Sequence, residues 1–210
     1  MKKLVTSLAA ASLGLALLTA CSSQSKTNSS TEQKETATAQ SSTVEKTNDK
    51  VQTARKNYDS IQIGDLMQSG EGGTTKEDAV KLFGEPNSTT QMDLNDKKVE
   101  QLTWTIKTGV VVTVQFMDNH ATTKAITGFT FNREAKIGLN EFNSLPEEAS
   151  YADAVNLFGE PDTTSESMIS GQRTNLAVWM SGVKGNPGAN ISIMFTNDKA
   201  TTKTQTNLTD

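Results

Sequence analysis

The chain has 210 residues, of which 34% are hydrophobic, and a formal net charge of −4. Its apolar residues are unevenly distributed: residues 1–21 are almost wholly apolar, residues 22–57 are almost wholly polar, and residues 58–210 have the mixed composition of a folded domain. This last part has 12 basic and 20 acidic side chains without a basic stripe, which argues against direct binding of nucleic acid or anionic lipid headgroups.

The scarcity of cysteine and histidine restricts the chemistry open to this chain. Cys21 is the only cysteine, so no intramolecular disulfide can form, and His120 is the only histidine. Most zinc sites and histidine-dependent catalytic triads are thereby excluded, unless His120 itself takes part. We expect no metal site, no cofactor and no catalytic residue, and we expect His120 to lie exposed in a turn between strands.

The first 21 residues have the features of an export signal. Lys2 and Lys3 form a positive region, an apolar stretch covers residues 4–18, and the segment ends in Leu-Thr-Ala-Cys. This ending resembles the lipobox of bacterial lipoproteins, which implies cleavage before Cys21 and acylation of that cysteine with fatty acids such as palmitate. Two or more acyl chains anchor a protein stably to a membrane. An ordinary signal peptide with an incidental cysteine is the alternative.

Residues 22–57 are predicted to be a disordered tether. They are rich in Ser, Thr, Gln, Lys, Glu and Asn and contain no aromatic residue, so they cannot bury enough apolar surface to offset the entropy of ordering. A flexible coil of about 36 residues would span roughly 35 Å. The segment resembles the tethers of Gram-positive surface lipoproteins, which implies that the folded part lies at the extracytoplasmic face of the cell membrane. A lasting helix within residues 44–57 is not expected.

An internal repeat is the most informative feature of the folded part. The sequence Asp-Ala-Val-Lys-Leu-Phe-Gly-Glu-Pro at residues 78–86 recurs as Asp-Ala-Val-Asn-Leu-Phe-Gly-Glu-Pro at residues 153–161. The same spacing relates Trp104 to Trp179, and a Thr-Thr-Lys sequence recurs near the end of each copy. These matches predict a tandem duplication. The two predicted repeats span residues 58–133 and 134–210.

Each repeat has the pattern of two helices followed by strands. Thr75 and Ser150 can cap the second helix of their repeat, and Gly-Glu-Pro ends it. Glu85 and Glu160 are thus explained as parts of a helix stop and not as paired catalytic carboxylates. We predict an α+β fold of two tandem repeats, each a helix–helix unit followed by a three- to four-stranded antiparallel sheet with one open face. The first helices are predicted at residues 63–69 and 139–145, and the strands at residues 88–92, 99–106, 110–117, 124–131, 163–169, 175–180, 189–196 and 199–207.

This organisation resembles the β-lactamase inhibitor protein (BLIP) fold, and a single repeat is similar to small outer-membrane assembly lipoproteins. In BLIP, two hairpin turns insert into the lactamase active site; by position they correspond to residues 107–109 and 182–188 here. The resemblance implies contact with a protein partner, and the candidate contacts in these turns are Lys107, Thr108, Gly109, Lys184 and Asn186. The acidic and aromatic anchors of the inhibitor's turns, and its disulfides, are absent from this sequence, so the resemblance extends to architecture and not to lactamase inhibition.

The same two turns contain sequences that match motifs of penicillin-binding enzymes. Lys107-Thr108-Gly109 matches Lys-Thr-Gly, and residues 181–184 match Ser-x-x-Lys. The Ser-x-x-Lys motif should open a helix and precede Lys-Thr-Gly, whereas here it falls in a glycine-rich hairpin and follows it. No Ser-Asp-Asn sequence occurs. We therefore expect no acyl-enzyme chemistry.

A second candidate surface comes from the alternation of side chains in repeat 2. Leu176, Val178 and Met180 alternate with residues that include Trp179. If Trp179 lies in the core, as Trp104 is expected to, these three apolar side chains point to the open face of the sheet, where exposed apolar groups typically mark an interaction site. A shifted register in repeat 2, or cover by the other repeat, is the alternative.

These observations favour a membrane-anchored, non-enzymatic module that binds an unidentified extracytoplasmic or cell-envelope protein. The membrane would be contacted through the lipid anchor alone, and nucleic acid would not be bound. A cell-envelope assembly or structural factor is the second hypothesis, by analogy with the single-repeat lipoproteins. An extracellular enzyme is the third, and it has the least support because the sequence lacks a catalytic constellation.

Overall fold

The computed structural model describes residues 49–94, 97–107 and 109–210, and these contain four helices and eight strands. Within these ranges no helix is both long and apolar enough to cross a membrane. The first half contains α1 (residues 49–60), a 3₁₀ turn (Leu66–Gln68), α2 (Lys76–Phe83), β1 (Ser88–Leu94), β2 (Lys97–Lys107), β3 (Val110–Met117) and β4 (His120–Thr127). The second half contains α3 (Leu139–Ser144), α4 (Tyr151–Phe158), β5 (Thr163–Ile169), β6 (Gln172–Trp179), β7 (Gly185–Thr196) and β8 (Lys199–Leu208).

All eight strands form one antiparallel sheet in the order β1 to β8. The prediction of two repeats, each with its own three- to four-stranded sheet, is therefore wrong. β4 pairs with β5 from Thr123 opposite Ser167 to Ile126 opposite Thr164. An unpaired strand edge leaves backbone donors and acceptors without protein partners. The pairing of β4 with β5 is favourable because it removes two such edges at once. This pairing links strands that α3 and α4 separate in the chain, and the local pattern of each strand contains no sign of it.

Two local predictions in the first half also need correction. The helix predicted at residues 63–69 is only the short 3₁₀ turn at Leu66–Gln68. The strand predicted at residues 124–131 ends at Thr127, because the chain turns out of the sheet at Gly128, which has a φ of +72°. A Cβ atom at Gly128 would lie 1.5 Å from the carbonyl oxygen of Gly109, so only glycine fits where these two backbones meet.

The helices pack on one face of the sheet and form a similar arrangement in each half. The Trp104 indole N–H donates to the Gly84 carbonyl at 2.8 Å, and the Trp179 indole N–H donates to the Gly159 carbonyl at 2.7 Å. Both glycines end a helix and have a positive φ. Each tryptophan therefore satisfies an otherwise free carbonyl at a helix terminus while it fills the core.

A lysine makes a second equivalent contact in each half, and it is buried in the first half and half-buried in the second. Lys124, on β4, donates to the carbonyl oxygens of Tyr58 (3.3 Å) and Ile61 (2.8 Å) at the end of α1. Lys203, on β8, donates to the Leu145 carbonyl at 2.6 Å, at the end of α3. Each ammonium group thus meets the negative end of a helix, which accounts for the lysine in both copies of Thr-Thr-Lys.

Helix α1 contacts both halves of the sheet. The buried Arg55 donates to the Pro161 carbonyl at 2.8 Å and to the Glu160 carboxylate at 3.2 Å. Tyr58 donates to the Thr164 carbonyl at 3.3 Å, and burial raises the pKa of its hydroxyl. Residues 49–57, whose polar composition predicted a tether, are therefore helical and partly buried.

Candidate functional site

The face of the sheet opposite the helices, here called the open face, is uncharged over its central part. Its residues alternate along each strand with the buried residues that meet the helices, and the pairing places them side by side across the sheet. Away from the strand ends, none of the positions that the register assigns to this face on β2 to β8 is charged. The positions on this face include Gln101, Thr103, Thr105, Val111, Thr113, Gln115, Thr123, Ala125, Thr163, Ser165, Ser167, Thr174, Leu176, Val178, Ser192, Met194, Thr196, Thr202 and Thr204.

The second half of the open face carries an apolar strip, which comprises Leu176, Val178, Met180 and Met194. Trp179 is fully buried, so alternation turns Leu176 and Val178 to the open face, where both are half-buried. Leu176 is paired directly with Met194 on β7, and Met194 is 39% exposed. Met180 follows β6 and is 48% exposed.

Met194 was not among the predicted contact residues, although the sequence contains a signal for it. Ile191, Ile193 and Phe195 are all buried, so the residue between the last two must face the other way. Its pairing with Leu176 could not be read from either strand alone, because it depends on the register of β6 against β7. The register therefore adds Met194 to the apolar side chains that alternation in β6 indicated.

The corresponding part of the first half is polar. When the two copies are aligned on their repeated sequence, Gln101 and Thr103 take the positions of Leu176 and Val178. Trp104 is buried next to Thr103, as Trp179 is next to Val178. The open face thus has two chemically different halves on a common scaffold.

The turn between β6 and β7 is held by a buried carboxylate. Asp162 accepts hydrogen bonds from the backbone N–H groups of Met180 at 2.7 Å and Ser181 at 2.8 Å. Arg133 donates to the Ser181 carbonyl at 3.1 Å and lies 3.4 Å from the Asp162 carboxylate. The same guanidinium donates to the Phe158 carbonyl at 3.1 Å. These charge-assisted bonds fix the start of the turn relative to α4.

The rest of this turn is paired with the segment that connects the two halves. Lys184 donates its N–H to the Ile137 carbonyl at 2.7 Å, and Ile137 donates its N–H to the Gly182 carbonyl at 3.0 Å. Gly182 has a φ of +75°, and a Cβ atom there would lie within 3 Å of the Arg133 side chain. The turn is therefore preorganised by its backbone contacts, which lowers the entropy lost when it binds a partner.

The predicted contact residues of the turns lie at one end of the sheet, because β2 and β6 run in the same direction in an antiparallel sheet of consecutive strands. Lys107 ends β2 and is exposed, and Gly109 lies in the turn with a φ of +89°. Lys184 is half-buried, and Asn186 is exposed in an irregular stretch of β7. Thr108 and Cys21 lie outside the described residues.

The serine of the Ser-x-x-Lys match is engaged in structural contacts. The Ser181 hydroxyl donates to Asp162 and accepts from Arg133, and it does not open a helix. His120 begins β4 and is half-buried, where an exposed turn position was predicted, and its Nδ1 atom lies 3.0 Å from the Asp118 carbonyl. In the part of the chain that the structure describes, no group of three or more His, Cys, Asp or Glu side chains could hold a metal ion.

The molecule is built on one eight-stranded antiparallel sheet, with helices packed on one face and the other face open. Residues 50–208 match the model of a family described as "Domain of Unknown Function with solved-structure structure (DUF3862)", and the chain belongs to this family. Among curated proteins, none matches this sequence.

A solved structure is similar over nearly its whole length. It is the crystal structure, at 1.40 Å resolution, of a protein from Streptococcus mutans described as "putative beta-lactamase inhibitor protein". The two sequences are 33% identical, the match covers 74% of this chain and 96% of that one, and the TM-score is 0.68. The chain therefore has a BLIP-like fold.

Proposed function

We propose that this protein binds another protein through the open face and the adjoining β6–β7 turn. One observation carries the proposal: the apolar strip lies on a face that is mostly polar and has no charge in its central part. The strip also lies beside a turn whose conformation is already fixed. Apolar anchors surrounded by short polar side chains are typical of the centre of a protein interface, where charged residues are depleted. The similarity to a protein described as an inhibitor of another protein supports a binding role.

The composition of the open face favours association with an uncharged partner surface. Serine and threonine lose little side-chain entropy on binding, and no charge in the central part of this face has to be stripped of water. Leu176, Val178, Met180 and Met194 each retain apolar surface that a partner can cover, and full burial of such a side chain contributes about 1.5–3 kcal/mol.

The partner we propose is an extracytoplasmic or cell-envelope protein, and the role we propose is not enzymatic. The turns at residues 107–109 and 182–188 lack the acidic and aromatic anchors that the BLIP resemblance associates with lactamase binding. A β-lactamase is therefore not the partner we favour. The positive charges of Lys107 and Lys184 would affect the rate of association more than the final affinity.

The location we propose follows from the N-terminal sequence. Cys21 would be the acylated residue, residues 22–48 would form the tether, and the domain would stand at the extracytoplasmic face of the cell membrane. We also propose that the two halves arose by tandem duplication, with residues 58–133 and 134–210 as the units. Replacing Cys21 with serine should move the protein from the detergent phase to the aqueous phase on phase separation. A Cys21→Ser protein that still partitions like the wild type would contradict the anchor.

The binding proposal is tested by a matched pair of charged substitutions. Val178→Asp places a carboxylate in the apolar strip, and Thr103→Asp places one at the equivalent position of the first half. Proteins captured from cell envelopes by the wild type are identified, and their affinity for each variant is measured. Val178→Asp should weaken binding by more than about 2 kcal/mol, since a buried unpaired charge is costly at the centre of an interface.

Thr103→Asp should have a much smaller effect, and both variants should melt like the wild type. Equal losses from the two variants would contradict the assignment of the site to the second half. An unchanged affinity of Val178→Asp for every captured protein would contradict the site itself.

A further inference from the structure

The first strand of the sheet has an unprotected edge. β1 pairs with β2 in an unbroken register from Ser88 opposite Thr103 to Leu94 opposite Lys97, and all seven of its residues are exposed. Among the described strands, none pairs with its other edge. A long exposed edge of this kind is a template for pairing with another strand.

The opposite edge of the sheet differs because it carries the features that normally prevent such pairing. β8 contains Lys199 and the inward-pointing Lys203, and its register against β7 shifts between Met194 and Phe195. β1 has no lysine, no proline and no register shift, and two of its seven residues are threonines, which favour strands. Of the two edges, β1 is therefore the one suited to receive a strand.

We propose that β1 pairs with β1 of a second copy of this chain. Antiparallel pairing about a two-fold axis through Gln91 uses the full length of both strands and keeps the two open faces on the same side. Asp93 is the only charged residue of β1, and in this register it lies opposite Thr89 of the second copy. No like charges oppose one another, although the protein as a whole is acidic.

The same register covers exposed apolar surface. Met92 and Leu94 are 43% and 40% exposed, and they would lie opposite Thr90 and Ser88 of the second copy. Covering these side chains removes apolar surface from water, and the backbone groups of both edges become paired. A single strand edge buries less surface than a stable interface requires, so the dimer should be weak and depend on concentration. Tethering both copies to one membrane would raise their effective concentration.

Cysteine cross-linking tests the register directly. In full-length protein with Cys21→Ser, the substitution Gln91→Cys places a single thiol on the proposed two-fold axis. The paired Cα atoms of neighbouring strands lie about 4.5–5.5 Å apart, a separation that a disulfide can span. Thr202→Cys in the same background is the matched control, because it exposes a thiol on the opposite edge strand. We expect the Gln91→Cys protein to form disulfide-linked dimers several-fold faster than the Thr202→Cys protein.

Sedimentation of otherwise wild-type chains with Cys21→Ser tests association without cross-linking. The parent protein should dimerise as its concentration rises, Thr90→Lys should remain monomeric, and Thr202→Lys should behave like the parent. Thr89→Lys should strengthen the dimer, because each new lysine faces Asp93 of the other copy. The circular dichroism spectra of all variants should be the same.

A parent protein that stays monomeric at millimolar concentration, with equal cross-linking rates for the two cysteine variants, would overturn the proposal. Association that Thr90→Lys leaves intact would overturn it as well, because the contact would then lie elsewhere. Weakening of the dimer by Thr89→Lys would overturn the register through Gln91.

Discussion

The two halves of the sheet have nearly the same packed face and different open faces. On the packed face, each half has a tryptophan that donates to the glycine at the end of a helix, and a lysine that donates to the end of the preceding helix. On the open face, Gln101 and Thr103 of the first half stand where Leu176 and Val178 stand in the second. Packing therefore constrains the residues of one face strongly, while those of the other face are free to differ. We place the binding site on the open face of the second half, where the two halves differ.

The two halves also differ in the turns beside the open face. Asp162 in the second half has Asn87 as its counterpart in the first, one residue after the proline of Gly-Glu-Pro. The Asn87 side chain accepts one hydrogen bond, from the backbone N–H of Thr105 at 2.6 Å. The Asp162 carboxylate accepts from two backbone N–H groups of the β6–β7 turn and forms an ion pair with Arg133. The apolar strip and the better-fixed turn thus occur in the same half.

The largest expected effect on stability concerns a core phenylalanine that is buried to different extents in the two halves. Phe158 is 2% exposed, whereas its counterpart Phe83 is only half-buried and packs against Trp104 with ring centroids 5.0 Å apart. Phe158→Ala should reduce the free energy of unfolding by about 3–5 kcal/mol, and Phe83→Ala by about half as much. Urea unfolding of both variants measures the difference. Equal losses would show that the two cores are equivalent despite their different exposure.

The next effect concerns the carboxylate that holds the β6–β7 turn. Asp162→Asn replaces one acceptor oxygen with an NH₂ group that faces backbone N–H donors, so we expect a loss of about 1–3 kcal/mol in unfolding free energy. Asn87→Asp is the matched exchange in the first half and should have little effect. Amide hydrogen exchange at Met180 and Ser181 should accelerate in Asp162→Asn alone. Unchanged exchange there would mean that the turn is held by its other contacts.

A smaller effect on stability, with a large effect on binding, is expected from making the second open face resemble the first. The double substitution Leu176→Gln and Val178→Thr introduces the residues found at positions 101 and 103. Both side chains are only half-buried, so the unfolding free energy should change by less than about 1.5 kcal/mol. Affinity for a captured partner should fall as it does for Val178→Asp. Retained affinity would show that the apolar strip is dispensable.

The smallest effect is a pH dependence that involves Asp65, which links the first half to the β5–β6 turn. Its carboxylate accepts from the N–H groups of Met67 at 2.8 Å, Gly171, and Ser170 at 2.9 Å. These hydrogen bonds, that of Met67 foremost, hold the pKa of Asp65 below its ordinary value of 3.8. The stabilisation is present above pH 3.8 and is lost as the pH falls through the lower pKa of the folded state.

Acid unfolding measures this contribution. Between neutral pH and strongly acidic pH, the wild type should lose more stability than Asp65→Asn, because the asparagine has no proton to take up. Parallel curves for the two proteins would show that the Asp65 carboxylate contributes no pH dependence.

Local features of the sequence predicted the capped helices and the inward-facing Trp104. Thr75 and Ser150 cap α2 and α4 as expected, because a cap bonds only to residues within one turn. Gly84 and Gly159 end those helices for an equally local reason. Alternation along β6 placed Trp179 on the face opposite to Leu176 and Val178 but left open which of the two faces is packed. The structure buries Trp179 and so decides between them.

Everything that depends on contacts between distant residues was decided by the tertiary structure. The pairing of β4 with β5 made one sheet where two were predicted, because a strand edge carries no local mark of its partner. Helix α1 lies in a polar stretch typical of a tether and is fixed by contacts such as that of Arg55 with Pro161, 106 residues away. Met194 joined the apolar strip only through the register of β7. Single-strand patterns report which face a residue takes, but only the folded chain decides which residues share that face, because pairing and register are set by the packing of the whole sheet.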